Sequence, residues 1–467
     1  MQVPEDDAPT SHLSAAGRRP GIGGLLAAAQ ALLMRAWRYA PTYPARLSWP
    51  AAQLALLRTL CCGALVFGTL APLRPTPHPD LYPAYVAAKL ANEGAWDHIY
   101  HSSVWLHNGV DPVWDQRASE ITQQPLGGTS FVYHPWYLQI LRPVAAHVPF
   151  PAFQAGWVVM SKICIVLAGL GMAILFGLNT LMGQAFLTMM LGLSSPAVYG
   201  IELGQNVLPA LVFALAAIMS WRSSAPLWLG GLCAALAWAC KPWCAALIVL
   251  CLLLRGLRAT LITGAALALV MAVLPSLVLP DVLMRHYREM TMTIARVSVF
   301  GFNNISILSI LERFVYPDWS PRLFEWIPRY AQLRLRLWAL GSAGLVMAAG
   351  AALWWLRRPA SRYTIAAYLA FMLLPLGICW THYFAFAIPL GLLCTFDAKS
   401  PLLLRALGTA LLTIHMGIMI RIEVPLDYYL PGPVRYPWQQ AAPMALTIVL
   451  ILAALAFAPR EETEEAR

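Results

Sequence analysis

Residues 153–177 read FQAGWVVMSKICIVLAGLGMAILFG. This apolar run exceeds the roughly 20 residues a helix needs to cross the hydrocarbon core of a bilayer. Working outward, comparable runs fall near 50–72, 184–201, 203–220, 226–240, 242–254, 259–280, 338–356, 361–380, 382–396, 401–423 and 441–459, separated by Arg, Pro and polar breaks. With the first, that makes twelve expected spans. Several are shorter than a full crossing and are read as candidates for paired, partial penetration. Arg58, inside the first run, has to snorkel to the nearer interface.

Composition agrees. The chain has 467 residues, 59% of them hydrophobic and 12% charged, with mean hydropathy +0.62. Ordinary soluble domains carry about 25% charged residues, so the excess apolar surface is expected to face lipid. The net charge of +10 is scattered, with no basic stripe interleaved with aromatics, which argues against nucleic acid as a partner. The nine cysteines lie in or beside apolar runs. Cys240 and Cys244 have helical spacing, but no His or Cys pair completes a metal site. No metal ligand set and no cofactor are expected.

Basic residues orient the chain, because short cytoplasmic loops collect Lys and Arg. Residues 1–49 carry Arg18, Arg19, Arg35, Arg38 and Arg46 and read as a cytoplasmic tail with an interfacial amphipathic helix at 21–40. Alternation then places Arg222, Arg255 and Arg258, next Arg357, Arg358 and Arg362, and finally Lys399 and Arg405 inside. The acidic tail 460–467 falls inside as well, so both termini are expected in the cytoplasm of an inner (plasma) membrane protein. The membrane domain is read as 50–459, with extracytoplasmic loops at about 73–152, 281–337 and 424–440. The apolar piece 131–149 is taken as a juxtamembrane helix, since a crossing there would turn every later Arg-rich loop outward.

On this topology the polar residues that interrupt apolar context all lie outside. They are His78, Asp80, Tyr82, Tyr133, His134, Glu202, Gln205, Asn206, Lys241, Arg285, His286, Asn303, Asn304, Trp380 and His382. Charged groups at membrane depth are costly and tend to face a cavity or a partner. Each also has a plainer reading. Asp80 could end a span, Lys241 could snorkel to headgroups, and Gly204-Gln205-Asn206 could be a tight turn. Asn303-Asn304 could cap a helix, Trp380 could anchor at the interface, and His382 could bond a carbonyl. Their gathering on one side says more than any one of them.

Taken in order, these pieces resemble glycosyltransferase family 87, whose members have the GT-C fold. The resemblance runs from the first span to about residue 390. It is carried by Pro79-Asp80-Leu81-Tyr82-Pro83-Ala84-Tyr85, by Gly94 and Tyr100, and by Phe131-Val132-Tyr133-His134-Pro135. Further on it is carried by Gly204-Gln205-Asn206, Lys241-Pro242, Gly301-Phe302-Asn303-Asn304-Ile305-Ser306, and Pro375 with Trp380-Thr381-His382. Trp136 after Pro135, and Tyr383 after His382, depart from the family pattern.

The resemblance implies an all-α, polytopic, inverting hexosyltransferase working on the extracytoplasmic face. Its donor would be a polyprenyl-phosphate sugar, mannose by preference, and its acceptor a lipid-linked or cell-envelope glycan. By resemblance Asp80 is the base. Lys241, Arg285 and His382 are candidates for the donor phosphate. Tyr82, Tyr133, His134, Glu202, Gln205, Asn206, Asn303, Asn304 and Trp380 are candidates for sugar or acceptor. The competing reading is a lipid-sugar flippase or another carrier. Carriers commonly hold their polar residues near the bilayer midplane, whereas these favour one end of the spans.

Overall fold

The computed structural model describes residues 49–69, 80–100, 111–122, 131–178, 180–223, 225–294, 298–299, 304–315, 324–325, 329–418 and 437–460. His78, Asn303, and the two tails apart from residues 49 and 460 fall outside the described residues.

The described chain is helical apart from one pair of two-residue antiparallel strands, Ser298–Val299 with Phe324–Glu325. In order the helices are α1 (Trp49–Thr69), α2 (Tyr82–Asn92), α3 (Pro112–Thr122), α4 (Pro135–His147), α5 (Phe150–Phe176) and α6 (Leu181–Gly192). There follow α7 (Ser195–Leu203), α8 (Val207–Arg222), α9 (Leu227–Cys240), α10 (Leu247–Ala268), α11 (Leu274–Val278) and α12 (Asp281–Ile294). The last are α13 (Ile307–Val315), α14 (Arg329–Arg357), α15 (Ser361–Phe371), α16 (Ile388–Phe396), α17 (Leu402–Thr413) and α18 (Pro437–Phe457).

Among the described residues, three helical stretches are long and apolar enough to cross a membrane unaided: Phe150–Phe176, Pro242–Val278 and Leu333–Arg357. With the composition, they mark a membrane protein. Other expected spans coincide with shorter apolar helices, including Val207–Arg222, Leu227–Cys240 and Ala441–Phe457. The expected span 184–201 is two helices, α6 and α7, bent by 58°. Ser194 caps the second through its hydroxyl, which accepts from Ala197 N–H, and Pro196 presets the first turn. The run Pro242–Val278 is interrupted at Gly256, which takes φ 78° and ψ −174° between the expected spans 242–254 and 259–280. Arg255 stays at that kink and donates to the Ser223 carbonyl at 3.4 Å. The expected span 361–380 is α-helical only through α15. Beyond Phe371 the chain turns, and a 3₁₀ helix, Thr381–Phe386, leads to α16.

Side chains bury into two main cores. The larger fills the bundle around α5, α8, α15 and α16, with Leu208, Trp221, Tyr363 and Phe384 almost fully enclosed. The second gathers α2, α4, the first turns of α5 and one face of α12 around Tyr82, Tyr100, Trp114 and Phe131. Tyr85 joins its parts: the hydroxyl donates to the Val148 carbonyl at 2.7 Å, and the ring lies 5.3 Å from both Phe150 and Phe153. Aromatic burial of this kind contributes about 1.5–3 kcal/mol per side chain. Within the piece 131–149, residues 135–147 form α4, packed in this second core.

At the start of α15, Arg362 pairs with Asp397 at 2.8 Å, and the Tyr363 hydroxyl donates to the same carboxylate at 2.6 Å. This polar lock ties α15 to the end of α16, away from the Trp380–His382 segment that follows α15.

Candidate functional site

The site lies at the seam between the two cores. From the second core comes Asp80, two residues before α2. Its N–H donates to the Leu203 carbonyl at 3.0 Å, which fastens this segment to the end of α7. Helix α7 stops there because Gly204 takes φ 74°, a conformation that side chains with a Cβ resist. Gln205 N–H returns to the Gly200 carbonyl at 2.8 Å and Gly204 N–H to Ile201 at 3.0 Å, the paired bonds of a Schellman turn. The turn aims the Gln205 side chain, whose Nε2 donates to Asp80 Oδ2 at 2.6 Å. Gly204→Ala is expected to cost about 1–2 kcal/mol through the left-handed backbone. It should lower the thermal unfolding midpoint of the purified protein and loosen the Gln205 contacts. An unchanged midpoint would mean that the turn relaxes freely.

From the bundle comes Lys241, at the break after α9. Pro242 forces the preceding residue out of helical geometry, and Lys241 sits extended at φ −140° and ψ 111°. Its ammonium donates to Gln205 Oε1 at 2.5 Å. It also lies over two rings, 4.7 Å from the Tyr383 centroid and 5.9 Å from that of Tyr133. Only 4% of Lys241 is exposed.

Tyr133 is placed by a chain of aromatics. The Tyr100 hydroxyl donates to the Tyr133 carbonyl at 2.7 Å, and the Tyr133 ring meets Phe131 at 5.7 Å and Tyr137 at 5.0 Å. Burial first, and the Asp80 charge second, push the Tyr133 phenol well above its usual range, so it remains a hydrogen-bond donor. The Asp80 carboxyl is raised as well. Burial is the larger cause, and the Gln205 bond and Lys241 charge oppose it. A raised carboxyl holds a captured proton better.

His134 begins α4 as its N-cap. Its Nδ1 accepts from Trp136 N–H at 3.1 Å, and its ring meets Tyr287 edge-on at 5.0 Å. Burial pushes its pKa down to about 4, with the bond to the Met271 backbone acting upward. The unfolded chain therefore binds this proton first as pH falls, so stability present above pH ~6.5 is lost towards pH 4. The loss is on the order of 3 kcal/mol over that window. His134→Asn keeps a capping acceptor and should flatten that part of the pH–stability curve. An equally steep curve in the variant would assign the slope to other groups.

His382 reaches the site through the 3₁₀ helix. Its ring meets Tyr383 edge-on at 4.7 Å and lies 6.1 Å from Tyr199 of α7. At Gly200 an added Cβ would stand 3.1 Å from Val207 Cγ1 and in ordinary contact, 3.7 Å, with the Cβ of His382. Both ring nitrogens of His382 and both side-chain polar atoms of Asn206 are buried without a hydrogen-bond partner among the described residues.

The other expected site residues are placed differently. Asn304 takes two main-chain donors. Its Oδ1 accepts from Cys379 N–H at 2.9 Å and Ser306 N–H at 3.3 Å, binding this segment to the strand-like stretch at Trp380. Trp380 is half-buried, and its carbonyl accepts from Tyr383 N–H at 2.8 Å. Tyr82 is buried in the second core, and Glu202 is partly exposed one residue before Leu203. Arg285 lies on the exposed face of α12 and makes no hydrogen bond or ion pair with the Asp80–Gln205–Lys241 group, although Tyr287 of that helix touches Tyr100 and His134. Tyr383, marked in the sequence only as a departure from the family pattern, presents its face to Lys241 and packs on Trp243 at 5.4 Å. An aromatic inside an apolar run carries no signal that separates this role from core packing. No group of three or more His, Cys, Asp or Glu side chains able to hold a metal occurs among the described residues.

Taken together, the arrangement offers an oxygen base, a desolvated cation and an amide joining them, with unmet hydrogen-bonding groups alongside. The family model described as glycosyltransferase family 87 matches residues 131–379, more than half of the chain. That match includes Tyr133, Gln205 and Lys241, and ends before Trp380 and His382; Asp80 precedes it. No curated protein and no solved structure matches the chain.

Proposed function

The chain belongs to glycosyltransferase family 87, and from that premise we propose that it moves a hexosyl group from a polyprenyl-phosphate donor to a lipid-linked or cell-envelope glycan acceptor. Mannose is the sugar favoured. The reaction takes place on the extracytoplasmic face and inverts the anomeric centre, in a GT-C membrane domain of twelve crossings with both termini inside. The observation that carries this reading is the Asp80–Gln205–Lys241 group. It sets a carboxylate, outside the apolar spans, within one amide's length of a buried ammonium.

The proposed step is a single displacement. The acceptor hydroxyl lies against the Asp80 carboxylate, an obligate acceptor when ionised. As its oxygen bonds to the anomeric carbon, the bond from that carbon to the phosphate oxygen breaks and the electron pair leaves with the phosphate. The hydroxyl proton passes to Asp80. Lys241 faces the charge that develops on the departing phosphate. His382 lends a ring nitrogen to that phosphate, and Arg285, exposed on α12, meets it from the headgroup side. Asn206, with its unmet amide, bonds sugar hydroxyls, together with Tyr82, Tyr133, His134, Glu202, Asn303 and Asn304. Gln205 stands among them, and Trp380 stacks on a sugar face. The scheme calls on no cofactor of the protein's own.

The test is transfer by the purified protein in detergent, with a panel of polyprenyl-phosphate sugars as donors and membrane lipid extract as the acceptor pool. Labelled product from polyprenyl-phosphate mannose, with inverted anomeric configuration, is the expected result. Transfer from a nucleotide sugar instead would overturn the donor assignment.

A further inference from the structure

Asp80 and Lys241 carry opposite charges at one site, yet they do not meet as an ion pair. The Gln205 side chain stands between them, with Nε2 on Asp80 Oδ2 at 2.6 Å and Oε1 on Lys241 Nζ at 2.5 Å. Chemistry fixes this orientation: an ionised carboxylate only accepts and an ammonium only donates, so the amide can bridge them in one sense alone. The backbone holds the bridge in place through the Gln205 N–H bond to Gly200 and the left-handed turn at Gly204. The ammonium also lies over the rings of Tyr383 and Tyr133, 4.7 and 5.9 Å from their centroids.

We propose that Gln205 is a positioning residue, an amide spacer that keeps Asp80 and Lys241 from collapsing into a direct ion pair. The carboxylate then keeps its affinity for the acceptor's proton, and the ammonium keeps its charge for the leaving phosphate. In direct contact the cation would hold the carboxylate ionised and make it a poor base. An inserted neutral amide lengthens the separation, and the attraction falls with distance. The two rings restrain the lysine from swinging past the spacer. The meaning of this arrangement for catalysis rests on the transfer reaction proposed above, whereas the spacing belongs to the resting protein.

The groups facing Asp80 are Gln205, Lys241, Tyr133 and Tyr383. Those facing Lys241 include also Cys240, Cys244 and His382. Lys241 is thus the group whose approach would most change Asp80's titration.

The test follows the Asp80 carboxyl stretch by infrared difference titration of the full chain in detergent. The band is assigned by its loss in Asp80→Asn. In Gln205→Leu, with the spacer gone, the flexible lysine chain closes on the carboxylate and the midpoint falls by about one pH unit or more. In Gln205→Glu, a second carboxylate takes the lysine and the midpoint rises by about as much. A midpoint unmoved in both variants, or raised in Gln205→Leu by simple loss of a donor, overturns the proposal. Should Gln205→Leu fail to fold, Gln205→Ala removes the same amide and is read in the same way, a fall in the midpoint supporting the spacer and any other result overturning it. No sugar donor is present in the measurement. Shifted midpoints in a protein that transfers no sugar would therefore overturn the enzymatic reading and leave the spacer standing, and active transfer with unmoved midpoints would do the reverse.

Discussion

Asp80→Asn should abolish most transfer, lowering kcat by about 10²–10⁴-fold, the usual contribution of a positioned general base. The variant keeps the size of the side chain and an oxygen able to accept from Gln205 Nε2. The Asp80 N–H bond to Leu203 belongs to the main chain and survives the change. The unfolding midpoint is therefore expected to hold while turnover collapses. Because burial already raises the Asp80 carboxyl, losing its charge removes a desolvated group and exacts little from the fold. The measurement is labelled-sugar transfer under saturating donor, paired with thermal unfolding. Wild-type turnover in the variant would sink the assignment of the base, and a matching fall in both quantities would recast Asp80 as a folding residue.

Lys241→Met should separate activity from stability in the same sense. The methionine chain is close in length and adapts to an irregular apolar site. Its neighbours Tyr383 and Tyr133 lose a cation but keep an apolar contact, while Gln205 Oε1 loses its donor. The turn itself is set by Pro242 and remains. Lys241 is buried and bonded to a neutral amide in place of a carboxylate, so its desolvation is poorly compensated. Removing so poorly compensated a charge is expected to offset what the unmet Gln205 Oε1 costs. Transfer is expected to fall about 10²–10³-fold in kcat, the range for removing one preorganised electrostatic donor. The unfolding midpoint should hold or rise. A residue kept at a cost to stability is one retained for chemistry. Full turnover in Lys241→Met, or a sharp loss of stability with no specific loss of turnover, would place the lysine in the structural framework.

The sequence marks Asp80 and Lys241 because a charge beside an apolar run is an anomaly visible without coordinates. It marks Gly204-Gln205-Asn206 as a turn, and the structure supplies that turn with its left-handed glycine. Gly94 and Tyr100 resemble family positions in the sequence, and the structure gives them physical tasks. Gly94, at φ 78°, ends α2, and Tyr100 fixes the backbone of Tyr133. What cannot be read in advance is partnership across the chain. The contact between Gln205 and Asp80 spans 125 residues, and nothing in either neighbourhood announces it. Tyr383 hides for a different reason: in an apolar run, a ring that stacks on a cation and one that fills a core have the same surroundings in sequence. The span pattern shows a third limit. Hydropathy registers how apolar a stretch is but not where its helix bends, so α6 and α7 read as one span. Their bend brings the end of α7, and with it Gln205, to Asp80. Family membership also decides between the two functional classes the sequence left open, since the matched family is one of glycosyltransferases.

The seam between the two cores has a mechanical consequence. Asp80 belongs to the second core and Lys241 to the bundle, so the gap between them is held by the Asp80 N–H bond to Leu203 and by the Gln205 bridge. A misplacement of about 1 Å at reacting groups can cost 10²-fold in rate. Helices answer a thicker or thinner hydrocarbon layer by tilting, and the bundle carries most of the apolar helices that such a change would tilt. On the proposed transfer reaction, a change in bilayer thickness that strained those bonds would act on turnover through the distance the seam sets.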